Sequence, residues 1–121
     1  MSRPSVLVVD DEAGMRQTVR DILDAAGHEV AEAENGRAAL DKVAEGDFDV
    51  VVMDVRMPHM GGLEALQEIG EPPPEVIMMT AYAAEIDMEA IVEARPFAIL
   101  RKPFSARRLL ELVDQAGHQR G

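Results

Sequence analysis

Apolar positions in this chain gather into short unbroken runs instead of alternating with polar ones. Residues 5–9 (SVLVV), 50–53 (VVVM) and 75–79 (EVIMM) show no polar spacing that would mark a solvent face. Such runs predict strands buried on both sides, as in a parallel sheet. Residues 28–33 alternate weakly and carry Glu29 and Glu32, which predicts an exposed edge strand. Residues 97–100 follow Pro96 and supply a fifth.

Between the strands the apolar period lengthens to that of a helix. Met15, Val19, Ile22, Leu23 and Ala26 stripe a first helix, stopped by Gly27. Asn35-Gly36 opens a second, with Leu40, Val43 and Ala44 inward and Gly46 at its end. A third covers residues 62–69, with Leu63, Leu66 and Ile69 facing in, and three prolines at 72–74 prevent its continuation. A fourth is predicted over residues 83–95, although Ile86, Met88, Ala90, Ile91 and Val92 form no clean stripe. Ser105 is placed to cap a last helix, striped by Leu109, Leu112, Val113 and Ala116 and ended by Gly117.

Five strands alternating with five helices predict parallel βαβ units with right-handed crossovers, in one α/β domain spanning residues 1–121. The first, third and fourth strands are the most apolar and belong in the middle of the sheet. The order is therefore 2-1-3-4-5, a doubly wound, flavodoxin-like (βα)5 arrangement. Its reversal puts a ligand crevice at the carboxyl ends of strands one and three.

Composition narrows the function. At 121 residues and 47% hydrophobic, the chain can bury a real core. Acidic residues outnumber basic ones 23 to 12, giving a net charge of −11, a field that repels phosphate backbones and argues against direct nucleic-acid binding. The lack of cysteine excludes disulfides and thiolate metal sites and fits a reducing, cytoplasmic setting. No signal peptide or membrane-spanning run is evident. His28, His59 and His118 lack ligand spacing and read as surface residues.

Chemistry is concentrated at the predicted crevice. Asp10, Asp11 and Asp54 all end the first and third strands. Carboxylates crowded together repel, and a cation is the usual resolution; oxygen donors without His or Cys favour Mg²⁺ over zinc. The fourth strand brings the hydroxyl of Thr80 to the same edge, and the fifth brings the ammonium of Lys102. Singly, each has an ordinary reading as a strand end, a helix cap or a surface charge. Together they make a phosphoryl-handling set.

Those residues carry a resemblance. Val8-Val9-Asp10-Asp11-Glu12, Asp54-Val55-Arg56-Met57-Pro58 with Gly61-Gly62, Thr80-Ala81 and Lys102-Pro103-Phe104 closely resemble the motifs of the receiver domain of two-component response regulators, over essentially the full chain. The resemblance implies a CheY-like switch in which Asp54 accepts a phosphoryl group from the phosphohistidine of a sensor histidine kinase or phosphotransfer protein. It implies Mg²⁺ held by Asp11, Asp54 and the backbone carbonyl of Arg56, with Asp10 acting through a metal-bound water. Lys102 would pair with Asp54 and then with the phosphoryl oxygens, Thr80 would report occupancy, and the Lys102–Pro103 peptide would be cis. Such a protein catalyses only its own phosphoryl transfer and slow dephosphorylation. It meets effectors, or a second copy of itself, through the face of the fourth helix, fifth strand and fifth helix.

The chain also departs from that family. Where most receivers carry an aromatic on the fifth strand, three residues before the lysine, this one has Ile99; a Gly-Ala lead-in is replaced by Arg95-Pro96-Phe97-Ala98. Arg56 and Tyr82 stand where side chains control water access to an acyl phosphate, and predict a long-lived phosphorylated state. Arg107 and Arg108 open the last helix, against the macrodipole. They read either as surface charges or as a docking patch beside an acidic fourth helix bearing Glu85, Asp87, Glu89 and Glu93. Two other readings stay open: a Mg²⁺-dependent phosphohydrolase with an aspartyl-phosphate intermediate, and a receiver cut from a larger regulator or hybrid kinase. Arg56 opposes the first, since those hydrolases typically place a second Asp two residues after the nucleophile.

Overall fold

Five parallel strands form the sheet of the computed structural model, which describes residues 3–57, 60–70, 73–81 and 88–120. In chain order the elements are β1 (Ser5–Val9), α1 (Ala13–Ala25), β2 (Glu29–Ala33), α2 (Gly36–Glu45), β3 (Val50–Asp54), α3 (Gly62–Glu68), β4 (Glu75–Thr80), α4 (Met88–Ala94), β5 (Ala98–Arg101) and α5 (Ala106–Arg120). The sheet order is β2-β1-β3-β4-β5, as the sequence predicts. Val8 pairs with Val52 across β1 and β3, Asp54 with Met79 across β3 and β4, and Thr80 with Arg101 across β4 and β5. All of these carboxyl ends lie along one edge of the sheet.

Alternate residues of the central strands feed two cores, which is why their sequences show no polar face. Val6, Val8, Val50, Val52, Ile77 and Met79 pack under α1 and α5; Leu7, Val9, Val51, Met53, Val76 and Met78 pack under α2 and α3. The last helix meets the first core through Leu109, Leu112, Val113 and Ala116, all buried, and Ser105 Oγ caps it by accepting the Arg108 N–H at 3.0 Å. Asn35 caps α2 in the same way, through the Ala38 N–H at 2.8 Å.

Several boundaries and facings differ from the sequence expectation. Ala44 is exposed; Gly36 and Ala39 are the buried residues of α2, with Val43 on the same stripe, so Ala44 lies one step round the helix from the core. In α3 the fully buried residues are Gly62 and Ala65, while Leu63, Leu66 and Ile69 are half-buried, the last two against the core. The fifth strand begins and ends one residue later than expected. Gly117 does not end α5, which continues to Arg120. It serves instead as a close approach: a β-carbon there would collide with the ring of Pro4.

His28 is buried, not a surface residue. Its Nδ1 donates to the Pro4 carbonyl at 2.9 Å, pinning the chain entering β1 to the turn before β2. His118 is exposed as expected, and His59 lies outside the described residues. The fourth helix is described only over Met88–Ala94, where Ile91 is buried and Val92 stands 66% exposed; Glu85 and Asp87 fall outside the described residues. Arg95 follows it at φ +57, in the left-handed region. Arg107 and Arg108 pair with Glu111 on their own helix, at 3.1 and 3.6 Å.

Candidate functional site

The site grows out of the sheet order. β1 lies between β2 and β3, so successive connections leave it in opposite directions and open a crevice above its carboxyl end. A cleft of about 630 Å³ occupies that position, bounded by Asp10, Asp11, Asp54, Arg56, Thr80 and Lys102. Every residue predicted for the site and described in the structure is therefore brought together, except Ile99 and Pro103, which lie outside this lining. Tyr82 falls outside the described residues.

Asp10 is fully buried and held at every polar position. Its N–H donates to the Ala33 carbonyl at 3.2 Å, and its carbonyl accepts from Arg16 Nη1 at 2.7 Å. Its Oδ1 accepts the Glu12 N–H at 2.9 Å, and its Oδ2 accepts Lys102 Nζ at 3.2 Å. Asp54 is equally fixed: Oδ1 accepts the Arg56 N–H at 2.9 Å and Oδ2 accepts Lys102 Nζ at 2.6 Å. Asp11 is exposed at the mouth.

Lys102 thus bridges two carboxylates. Burial works to lower its pKa and is the largest single influence, but the hydrogen bond and charge of Asp54, joined by Asp10, outweigh it and leave the pKa raised. The lysine is held as a cation. The peptide after it, Lys102–Pro103, is cis as expected. Thr80 is buried at the end of β4, between the lysine and the aspartates in strand order.

The loop after Asp54 depends on close backbone approach. A β-carbon on Gly62 would collide with the Asp54 carbonyl and come within 2.8 Å of Met78 Cε, and one on Gly61 would come within 2.9 Å of the Val55 carbonyl. Those glycines let the chain fold back beside the end of β3 and enter α3.

The donor set fits a hard divalent cation. One carboxylate oxygen from each of Asp10, Asp11 and Asp54 lies within 4.8 Å of the others, with no His or Cys in the group. Three carboxylates against the single ammonium of Lys102 leave two negative charges, which a divalent ion balances.

A family model for the response regulator receiver domain matches residues 6–114. The chain belongs to that family. This receiver is 38% identical over 113 residues to chemotaxis protein CheY of Thermotoga maritima, covering 91% of the chain and 94% of that protein. It is 40% identical, with the same coverage, to chemotaxis protein CheY of Bacillus subtilis. In structure it is similar to a CheY-like response regulator receiver domain protein from Methanospirillum hungatei JF-1, with a TM-score of 0.88 and 28% identity over 98% of this chain and 97% of that one. Receivers are signalling switches of two-component systems, not classical enzymes, and bind Mg²⁺ at an acidic pocket of this kind. No helix among the described residues is long and apolar enough to cross a membrane.

Sequence reasoning missed the supports of the site. Arg16 and Glu32 read as ordinary charges on a helix and an edge strand. The signal available was only that an arginine sits one to two turns after the acidic pair; its partners come from tertiary structure.

Proposed function

We propose that this receiver is a phosphorylation-driven switch whose acceptor is Asp54. The observation that carries the reading is the Asp54 carboxylate at the crevice with Lys102 Nζ 2.6 Å away. In the transfer, an Asp54 oxygen attacks the phosphorus of a phosphohistidine on a histidine kinase or phosphotransfer protein. The P–N bond breaks with its electron pair going to the ring nitrogen, the histidine leaves as a neutral imidazole that keeps the proton already on its other nitrogen, and an acyl phosphate remains. Lys102, held cationic by its two carboxylates, stabilises charge on the phosphoryl oxygens as it forms. Asp11, Asp54 and the backbone carbonyl of Arg56 would hold Mg²⁺, with Asp10 behind them, and the ion would neutralise the charge that phosphate brings to an acidic pocket.

Thr80 is buried at the end of β4, one strand from Asp54, so a hydroxyl turning toward the phosphoryl group changes packing at that end of the sheet. The output would leave through α4, β5 and α5, where Val92, Glu89 and Glu93 are exposed for a protein partner or a second copy. Arg56, exposed at the cleft, would shield the acyl phosphate from water, giving a long-lived state.

The test uses Mg²⁺ and acetyl phosphate. Intact-mass measurement should show one phosphoryl group, mapped to Asp54, absent with chelator or in Asp54→Asn. Decay followed in the same sample should quicken in Arg56→Asn. A labelled peptide from the unmutated protein that lacks Asp54 would refute the assignment.

A further inference from the structure

Arg16 is the residue whose contacts the reading above leaves unused. It sits on the first turns of α1 with its side chain 19% exposed. One arm, Nη1, donates to the backbone carbonyl of Asp10 at 2.7 Å; Nε donates to Glu32 Oε1 on β2 at 3.2 Å. Glu32 is placed for this by register. It pairs with Val8, so it shares the face of the sheet that Val8 turns toward α1. Its other oxygen is taken by Arg20 Nη1 at 2.7 Å, which fixes the carboxylate from a second side.

We propose that Arg16 is a positioning residue for the metal-binding loop, clamping the Asp10–Asp11 peptide to the sheet edge so that Asp11 stays aimed into the cleft. The carbonyl that Arg16 grips and the N–H of Asp11 belong to one rigid peptide plane. Rotation of that plane would carry the start of Asp11 with it, and Asp11 is the one acid of the three whose carboxylate no neighbour holds among the described residues. The other three polar positions of Asp10 are tied to β2, Glu12 and Lys102. Arg16 closes the last one. An arginine is required by shape: a planar fork reaches two acceptors on different elements at once, whereas a lysine presents a single ammonium. The inference rests on the assignment of the acid cleft as a Mg²⁺ site and extends it to the support behind the ligands.

Groups that orient metal ligands from behind typically change affinity by about 10–100-fold when removed. Mg²⁺ affinity measured by calorimetry on the whole chain should therefore weaken about tenfold in Arg16→Gln and by less in Arg16→Lys. Arg20→Gln is the control. It breaks the other Glu32 contact and costs stability, but should leave the affinity within twofold of wild type. Amide hydrogen exchange of the metal-free proteins gives a readout independent of the ion: Asp11 and Glu12 should exchange faster in Arg16→Gln and unchanged in Arg20→Gln. If Arg16→Gln is too unstable to measure, Arg16→Lys carries both measurements. Unchanged affinity and unchanged exchange in the Arg16 variants, or equal losses in Arg20→Gln, would overturn the clamp. Wild-type protein that binds no Mg²⁺ would overturn the metal site, and the exchange measurement would then decide the clamp alone.

Discussion

Asp11→Asn should make the metal-free protein more stable and the Mg²⁺-saturated protein less stable than wild type. The substitution keeps the shape of the side chain and removes one charge from a cluster whose oxygens lie within 4.8 Å of one another. At that separation one unit of like charge costs about 3.5 kcal/mol at an effective dielectric constant of ~20, and about 0.9 kcal/mol in bulk water. Asp11 faces two carboxylates and one ammonium, so about one net unit of repulsion is relieved. Because it is exposed, the lower half of that range applies, roughly 1–2 kcal/mol. Mg²⁺ at a hundredfold excess over its dissociation constant stabilises a protein by about 2.7 kcal/mol, and the variant forfeits most of that. The order of the two proteins should therefore reverse between chelator and saturating Mg²⁺. Urea unfolding followed by far-ultraviolet circular dichroism, in EDTA and in Mg²⁺, measures both differences. Molar salt, with a Debye length of about 3 Å, should shrink the metal-free gain. A variant less stable than wild type in EDTA at low salt would show that the carboxylates do not repel as the geometry requires, and one that gains as much from Mg²⁺ would show that Asp11 does not hold the ion.

Arg95→Gly should stabilise the domain by about 1 kcal/mol, because Arg95 is held at φ +57, where a non-glycine residue costs roughly 1–2 kcal/mol and glycine does not; thermal unfolding that shows no gain would mean the position is not strained. Thr80→Ala should accept phosphate yet lose the phosphate-induced chemical-shift changes in α4 and β5, and retention of those changes would remove Thr80 from transmission. Ile99→Ala should cost stability at or below the low end of the roughly 2–5 kcal/mol seen for core Ile→Ala changes, since Ile99 is only half-buried, and should leave the response intact; a stable variant locked in one state would refute that.

The strands were legible because a parallel sheet covered on both faces writes its burial directly into the chain as unbroken apolar runs. The last helix was legible for a related reason, its core stripe being regular from Leu109 to Ala116. What could not be read were features decided by distant partners. Gly117 looks like a terminator, and only the ring of Pro4 packed against it shows why a small residue stands in mid-helix. His28 looks like a surface residue until Pro4, 24 residues away, accepts its Nδ1 hydrogen. Ala44 and Ala39 are the same residue type, and which one is buried depends on the rotation of α2 against the sheet.

The same division runs through the site. Asp10, Asp54, Thr80 and Lys102 each stand where a strand gives out, and the sheet order alone then converges them, so residue type and topology suffice to find the cleft. Arg107 and Arg108 could be noticed in the sequence as misplaced charges, but their pairing with Glu111 within one turn supplies an ordinary reason for them. Arg16 and Glu32 raise no such flag, because each is acceptable on a solvated face. Their significance arises only when α1 is laid over β2, which brings a guanidinium between a carboxylate and the carbonyl of Asp10. Residues that perform chemistry must sit at strand ends and so announce themselves. Residues that hold them in place can come from any element packed nearby, and their chemistry follows from the packing, not from position in the chain.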